Sequence, residues 1–306
     1  MVKDRLKLII KGFCIGSADV VPGVSGGTMA FILGIYQELI NAIKSFDSKW
    51  LKMIISFDIK GIVNRPHFSF LIPLMIGMVI ALFFFTRVVS LPLLIRTHAE
   101  IIYGLFFGLV LGSIVLLFFH LGLYSLCKKI IFLISGILFG GFFVTMMPTS
   151  TPDDSWFIFL CGAIAISAMI LPGISGSFIL LMLKKYAYIL NAIGHFDFSI
   201  ILPFVLGIIT GVILFSRLIS YIFRLFYQQT ILFITGLLIS SLYVIWPFQT
   251  RVYEFVRNKE RLVSSIPYLP ENLNILVTYS TVMMASGLTL VIVLDRYSDK
   301  TILTRN

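Results

Sequence analysis

Two short motifs rich in glycine, serine and proline interrupt otherwise apolar stretches of the chain. The first runs from Pro22 to Thr28 and the second from Pro172 to Ser177. Proline ends a helix and glycine lets the backbone turn, so each motif predicts a break followed by a new helix. A helix that begins with hydroxyl residues presents free amides and the positive end of its dipole, and this combination favours an anion.

The two motifs supply candidate ligands for a phosphate-sized anion. In a single motif, the glycines are better explained as helix-packing contacts and the serines as N-caps. Two matched copies instead favour a binding site at the interface between them. The predicted anion-binding residues are Ser25, Gly26, Gly27, Thr28, Ser175, Gly176 and Ser177, and the predicted turn residues are Pro22, Gly23, Pro172 and Gly173.

Charged residues within the apolar stretches are further candidates. Arg87 and Arg217 each follow a hydroxyl residue near the end of a span, where each either snorkels to the headgroups or receives a phosphate. Asp19 lies just before the first break, and a carboxylate at membrane depth is costly and usually functional. It either caps the turn or carries a coupling ion, and we favour coupling. Lys184 and Lys185 either snorkel or add positive charge to the site.

Composition places the chain in a membrane. Hydrophobic residues make up 58% of its 306 residues and charged residues only 12%. Several apolar runs reach the length of about 20 residues that a helix needs to span a bilayer. The formal net charge of +10 is spread over the short loops between these runs, so a nucleic-acid partner is not expected. The three cysteines and four histidines show no metal-ligand spacing, and the sequence predicts no metal and no cofactor.

The chain contains an internal repeat. Residues 12–47 match residues 162–197 at a fixed offset of 150, including the Pro-Gly-x-Ser-Gly and Asn-Ala-Ile segments that membrane composition alone would not produce. From Phe68, which matches Phe198, the offset becomes 130. The first copy therefore carries a basic insertion of about twenty residues near 48–67.

The repeat predicts an all-α polytopic membrane protein. Neither arm around each break is a comfortable span, so we interpret each motif as the tip of a re-entrant helical hairpin that precedes three transmembrane helices. An odd number of spans between the hairpins makes the two repeats inverted. Repeat 1 is predicted to cover residues 1–148, with a hairpin at 8–43 and spans near 70–91, 100–120 and 129–147. Repeat 2 is predicted to cover residues 149–306, with a hairpin at 156–193 and spans near 199–222, 229–247 and 274–294. Together the two repeats form one integrated membrane domain.

The distribution of basic residues predicts the orientation. With the N-terminus and the C-terminus cytoplasmic, most lysines and arginines fall in cytoplasmic segments, and Asp153 and Asp154 fall outside. The loop at 248–272 is basic and external, but its glutamates offset much of its charge. Charge alone leaves open whether the hairpin arms span the membrane fully.

These motifs resemble those of the polyprenyl-phosphate transporter family, long catalogued as a membrane domain of unknown function. The resemblance rests on Ser17-Ala18-Asp19, Pro22 through Thr28, Gly34-Ile35-Tyr36 and Pro172 through Phe178, and it extends over essentially the whole chain. The chain departs from the family pattern at Lys184-Lys185, where an apolar residue and glycine are expected, and at Gln37, where an acidic residue is usual.

The resemblance implies a function in the bacterial cytoplasmic membrane. A member of the family is expected to return undecaprenyl phosphate from the outer to the cytoplasmic leaflet, so that the lipid carrier is reused in cell wall biogenesis. The membrane potential opposes inward movement of an anion by about 2.3 kcal/mol per charge per 100 mV, so we expect a proton or a sodium ion as coupling partner. The alternatives are a secondary transporter for another small or lipid-linked anion and, third, a membrane lipid phosphatase. No nucleophile–base pair supports an enzyme.

Overall fold

The structure is a computed structural model, and it describes residues 2–21, 23–89, 91–121, 123–145, 151–256, 259–272 and 274–297. Helices account for most of this part of the chain. In the first half they are α1 (Val2–Asp19), α2 (Gly26–Ile32), α3 (Tyr36–Lys44), α4 (Ser48–Ile55), α5 (Ile59–Asn64), α6 (Phe68–Phe83), which a π-helical turn (Phe84–Val88) extends, α7 (Leu91–Thr97), α8 (Ala99–Leu121) and α9 (Leu123–Thr145).

The second half repeats much of this order. Its elements are α10 (Ser155–Ile170), α11 (Gly176–Met182), α12 (Tyr186–Gly194), α13 (Phe198–Leu225), α14 (Tyr227–Val244), strands β1 (Gln249–Val256) and β2 (Lys259–Pro267), and α15 (Ile275–Tyr297). Helices α4 and α5 occupy the segment that the change of offset marks as an insertion.

Several helices are long and apolar enough to cross a membrane. By length and composition these are Ala99–Phe119, Phe198–Leu225, Tyr227–Val244 and Ile275–Val293. Shorter apolar helices accompany them at Phe68–Phe83, Lys129–Thr145 and Ser155–Ile170. The chain is therefore a multi-pass helical membrane protein, as its composition predicts.

One segment departs from the all-α prediction. Strands β1 and β2 form a two-stranded antiparallel sheet, in a register that runs from Gln249 opposite Pro267 to Val256 opposite Lys259. The sequence predicts only a basic external loop at 248–272. Val252, Tyr253, Phe255 and Val256 give the first strand the β-branched and aromatic content typical of strands, a signal that a search for apolar spans overlooks.

The compact units of the fold do not coincide with the two sequence repeats. One unit comprises Met1–Val89 and Met146–Ile231, and it holds both hairpins with α6 and α13. The other comprises Ser90–Thr145 and Leu232–Asn306, with the remaining long helices and the two strands. Each predicted repeat, 1–148 and 149–306, therefore contributes elements to both units.

In the first unit, α1 packs closely against α6 through glycine. A Cβ atom added at Gly12 would lie 2.0 Å from the carbonyl oxygen of Leu74, and one added at Gly77 would lie 2.0 Å from that of Ile9. Such distances are far below van der Waals contact, so the two backbones touch where side chains would hold them apart.

The matched pair α10 and α13 packs in the same way. A Cβ atom at Gly162 would lie 2.2 Å from the carbonyl oxygen of Phe204, and one at Gly207 would lie 2.0 Å from that of Phe159. Gly162 matches Gly12 at the offset of 150, and Gly207 matches Gly77 at the offset of 130. The structure thus gives both copies the same helix–helix contact.

The second unit also relies on close helix pairs. Helix α8 meets α15 at Gly108, where a Cβ atom would lie 2.0 Å from the carbonyl oxygen of Met284. The hydroxyl of Ser280 donates a hydrogen bond of 2.9 Å to the carbonyl of Glu100 across the same pair. Helix α9 meets α14 at Gly136. Small residues at these contacts are typical of helices that associate in membranes.

We predict that Gly207→Ala destabilises the protein, whereas Gly141→Ala does not. The added methyl group at residue 207 collides with a backbone carbonyl that cannot move aside, and overpacking of this kind costs about 1–3 kcal/mol. Nothing lies within 4 Å of a Cβ atom at Gly141, so that helical glycine is a matched control. Thermal unfolding in detergent measures both variants, and equal midpoints would contradict the packing described above.

Candidate functional site

Each predicted motif breaks the helix as the sequence indicates. Helix α1 ends at Asp19 and α2 begins at Gly26, while α10 ends at Ile170 and α11 begins at Gly176. Gly23 and Gly173 have φ angles of 85° and 90°, which side-chain-bearing residues rarely adopt. Pro172 is fully buried, and Pro22 lies outside the described residues.

The chain folds back on itself after the second break. A Cβ atom at Gly176 would lie 2.4 Å from the carbonyl oxygen of Ala165, so α11 starts against the middle of α10. Further along the pair, Cys161 and Leu180 belong to one buried cluster. Residues earlier in α10 therefore meet residues later in α11, which is the arrangement of a helical hairpin.

The returning arm of each hairpin, expected within 8–43 and 156–193, is not one continuous helix. Helices α11 and α12 are bent by 105° at a short break around Lys184. Helices α2 and α3 are separated at the matched residue Gly34. The φ angles of Gly34 and Lys184 are 67° and 54°, so both residues are left-handed and end the helix before them.

The two broken motifs meet within the first unit. The backbone amide of Gly173 donates a hydrogen bond of 2.8 Å to the hydroxyl oxygen of Thr28, although the residues are 145 positions apart. A Cβ atom at Gly27 would lie 2.8 Å from the carbonyl oxygen of Met169, the last turn of α10. The side chain of Thr28 is only 3% exposed. The N-terminus of α2 therefore packs against the break between α10 and α11.

Side chains close the N-terminus of α2. Asp19 Oδ1 accepts a hydrogen bond of 2.8 Å from the amide of Gly26, and Ser25 Oγ accepts one of 3.2 Å from the amide of Gly27. Asp19 thus occupies the capping position, which is one of the two roles that its place before the first break predicts. Two of the amides predicted to bind an anion are engaged within the chain.

The N-terminus of α11 is open by comparison. Met169 stands where the first copy has Asp19, and the side chain of Ser175 makes no capping bond. Its hydroxyl instead lies 2.9 Å from that of Ser177, and Ser177 is exposed. Two adjacent hydroxyls at an uncapped helix start are donors that an anionic oxygen can accept from. The two copies therefore match in sequence, but the N-terminus of α2 is capped by side chains and the N-terminus of α11 is not.

Arg87 and Arg217 occupy matched positions in different local structure. Arg87 lies in the π-helical turn after α6, whereas Arg217 lies within the continuous helix α13. Both side chains are exposed, and neither forms a hydrogen bond or an ion pair with any residue in the described ranges. Both guanidinium groups are thus available to a ligand or to lipid headgroups.

Lys185 is paired within the chain. Its side chain is buried, and its ammonium group forms an ion pair with the carboxylate of Asp153 and donates a hydrogen bond of 2.9 Å to the carbonyl of Thr151. The group also lies 5.9 Å and 5.3 Å from the ring centroids of Phe157 and Tyr188. The sequence marks Lys185 as a charged residue within an apolar stretch but does not indicate its partner. It places Asp153 only in an external acidic loop.

The hydroxyl of Tyr36 is a buried polar group to which no sequence pattern assigns a role. The side chain is 3% exposed, packs edge-on against Phe31, and leaves its oxygen without a hydrogen-bond partner in the part of the chain that the structure describes. A buried polar group without a partner is costly and needs an explanation. Among the described residues no group of three or more histidines, cysteines and acidic residues could hold a metal ion.

Comparison with known proteins identifies the family. The model of the family described as undecaprenyl phosphate translocase-like matches residues 15–263, which include both broken motifs. The chain belongs to this family. The resemblance inferred from the motifs is thereby confirmed.

Two relatives are similar to this chain over most of its length. The polyprenyl-phosphate transporter of Vibrio cholerae is 34% identical over 312 residues, covering 97% of this chain and 98% of the relative. The polyprenyl-phosphate transporter of Staphylococcus aureus is 34% identical over 261 residues, covering 78% of this chain and 85% of the relative. No solved structure matches the chain.

We predict that Lys184→Gly stabilises the protein and that Lys184→Ala does not. A residue with a Cβ atom pays about 1–2 kcal/mol in the left-handed region, and glycine, which the first copy has at this position, does not. Alanine keeps the Cβ atom and therefore the strain. Thermal unfolding midpoints compare the variants, and an equal response to both substitutions would show that the backbone at residue 184 stores no strain.

Proposed function

We propose that this protein moves undecaprenyl phosphate from the outer to the cytoplasmic leaflet of the bacterial cell membrane. Family membership supports the proposal, because both named relatives are polyprenyl-phosphate transporters. The structural observation that carries it is the contact between the two broken motifs, where Thr28 meets Gly173. A polar seam built from two interrupted helices gives a phosphate partners that an unbroken apolar bundle lacks.

The two hairpins in this proposal enter the membrane from opposite faces. Matched helix pairs, α1 with α6 and α10 with α13, support the repeat because each hairpin is fixed to its own span by the same glycine contact. An odd number of predicted spans between the hairpins then inverts the second copy. The seam between the hairpins then lies where the phosphate head must cross. Arg87 and Arg217 fall at opposite ends of this path and serve as phosphate receivers, one for each leaflet.

The open start of α11 is the first seat for the phosphate head. Ser175, Ser177 and the amide of Gly176 offer donors there. Thr28 reaches the second motif through its hydrogen bond with Gly173, and Ser25 with the amides of Gly26 and Gly27 joins the seat once these amides are uncapped. The hydrocarbon chain stays in lipid throughout, so the protein needs to shield only the charged head.

Asp19 links the seat to a coupling ion in this proposal. Moving the anion inward costs about 2.3 kcal/mol per charge per 100 mV, so an accompanying cation is needed. Asp19 holds the amide of Gly26 with its carboxylate. A proton or a sodium ion on that carboxylate competes with the amide, releases the start of α2 and leaves it free to bind phosphate. Cation and lipid then move together.

Reconstituted liposomes that contain a fluorescent polyprenyl phosphate test the function. We predict that the protein accelerates movement of the lipid between leaflets, and that Arg87→Gln and Arg217→Gln each lower the rate roughly tenfold or more, because a hydrogen bond to a charged group is worth about 1.5–3 kcal/mol. Arg224→Gln is the matched control, since Arg224 is also exposed on α13 and instead lies over the ring of Tyr221.

No acceleration by the native chain would refute lipid transport. Native rates in both arginine variants would assign Arg87 and Arg217 to snorkelling and remove them from the path. Competition by inorganic phosphate as strong as that by the lipid phosphate would favour a transporter of small anions.

Asp19→Asn separates coupling from capping. Asparagine keeps the oxygen that accepts from Gly26 and is about as good a cap as aspartate, but it carries no ion. We predict that the variant still binds the lipid and exchanges it passively, while uptake against an imposed potential is lost. Native uptake against the potential by this variant would leave Asp19 as a cap only.

A further inference from the structure

The insertion in the first copy forms a compact module that the second copy lacks. In the second copy Asp197 leads directly into α13, and its carboxylate caps that helix at Ser199. In the first copy the matched Asp47 instead caps α4, and the chain runs through α5 before α6 begins. We refer to residues 48–65 as the inserted segment.

Polar contacts close the inserted segment at its base. Arg65 donates hydrogen bonds of 2.9 Å and 2.5 Å to the two carboxylate oxygens of Asp47, and these residues stand at the two ends of the segment. The Arg65 guanidinium holds the pKa of the Asp47 carboxyl well below its ordinary value, so the pair stays charged. The indole of Trp50 donates a hydrogen bond of 3.1 Å to the carbonyl of Ile62, which ties α4 to α5.

Aromatic contacts fix the inserted segment to the end of an apolar helix. The ring of Phe46 lies 4.9 Å from that of Trp50 in α4 and 6.0 Å from that of Phe68, the first residue of α6. Helix α6 is one of the apolar helices of the membrane part. The inserted segment is therefore held at the level where an apolar helix ends, which is the level of a membrane surface.

The outer surface of the inserted segment combines apolar and basic side chains. Ile55, Phe57 and Ile59 are 70%, 85% and 73% exposed, and they cluster where α4 turns into α5. Phe57 has a φ angle of 55°, an unusual conformation for an aromatic residue. The basic members Lys49, Lys52 and Lys60 are all exposed, and Asp58 is the only acidic residue in the sequence of the segment.

We propose that the inserted segment docks onto the acidic headgroups of the adjacent lipid surface. A face that sets a strongly exposed aromatic and two isoleucines beside lysines matches an anionic bilayer, whose apolar boundary accepts the former and whose phosphates attract the latter. The charge of this face favours acidic lipid over zwitterionic lipid. If the same residues faced water, they would form an exposed apolar patch on an otherwise basic module, and such patches mark interaction sites.

Hydrogen–deuterium exchange on the full-length protein in lipid nanodiscs tests this docking. The native chain is compared in discs of phosphatidylcholine alone and in discs that also contain phosphatidylglycerol. We expect backbone exchange of residues 54–63 to slow severalfold in the acidic discs, because docking holds α4 and α5 in place. The exposed loop at residues 268–272 is the internal reference and should not respond.

The variant Lys49→Gln/Lys52→Gln/Lys60→Gln supplies the matched control. Its three substitutions are at exposed positions, so the fold is retained and the slowing should disappear. Equal exchange in both kinds of disc would overturn the proposal. Slow exchange in both discs and in the variant would also overturn it, since the apolar residues would then insert without acidic headgroups. Protection in native membranes but not in acidic discs would assign the surface to a protein partner and overturn it as well.

Discussion

A helix that is broken among apolar helices leaves amide groups that must find partners, and the structure of the first unit depends on how they are found. The amide of Gly173 is satisfied by Thr28, and the amide of Gly26 by Asp19. Each motif is therefore completed by groups from outside its own turn. Since unsatisfied backbone groups are expensive away from water, this dependence couples the two motifs more firmly than apolar packing alone.

Differences between the matched copies are as informative as the match. The first copy neutralises its helix start with Asp19, and the second leaves the corresponding start open beside Ser175. Where the first copy buries Ile35, the second buries Lys185, which pairs with the exposed Asp153. A strictly symmetric pair of hairpins would hold its ligand equally from both sides, whereas an unequal pair can bind on one side and respond to a cation on the other.

The sequence predicts local breaks in the helices, but it does not predict which distant residues pair with each other. Proline and glycine predict the two main breaks because their conformational limits act within a few residues. The further break between α11 and α12 is not predicted, because Lys184 gives no such signal, although the matched Gly34 does. The ion pair of Lys185 with Asp153 joins residues 32 positions apart, and no period in the sequence indicates it. The division into units was missed for a related reason, since repeats reveal common descent of segments and not which helices pack together.

The central claim is that the two hairpins enter the membrane from opposite faces, and labelling of intact cells tests it most directly. Single cysteines are introduced by Ser56→Cys and Asp154→Cys, both at exposed positions, in a chain whose native Cys14, Cys127 and Cys161 are replaced by alanine. A membrane-impermeant maleimide should label residue 154 from outside and residue 56 only after the cells are opened. Labelling of both residues from the same side would contradict the inverted arrangement.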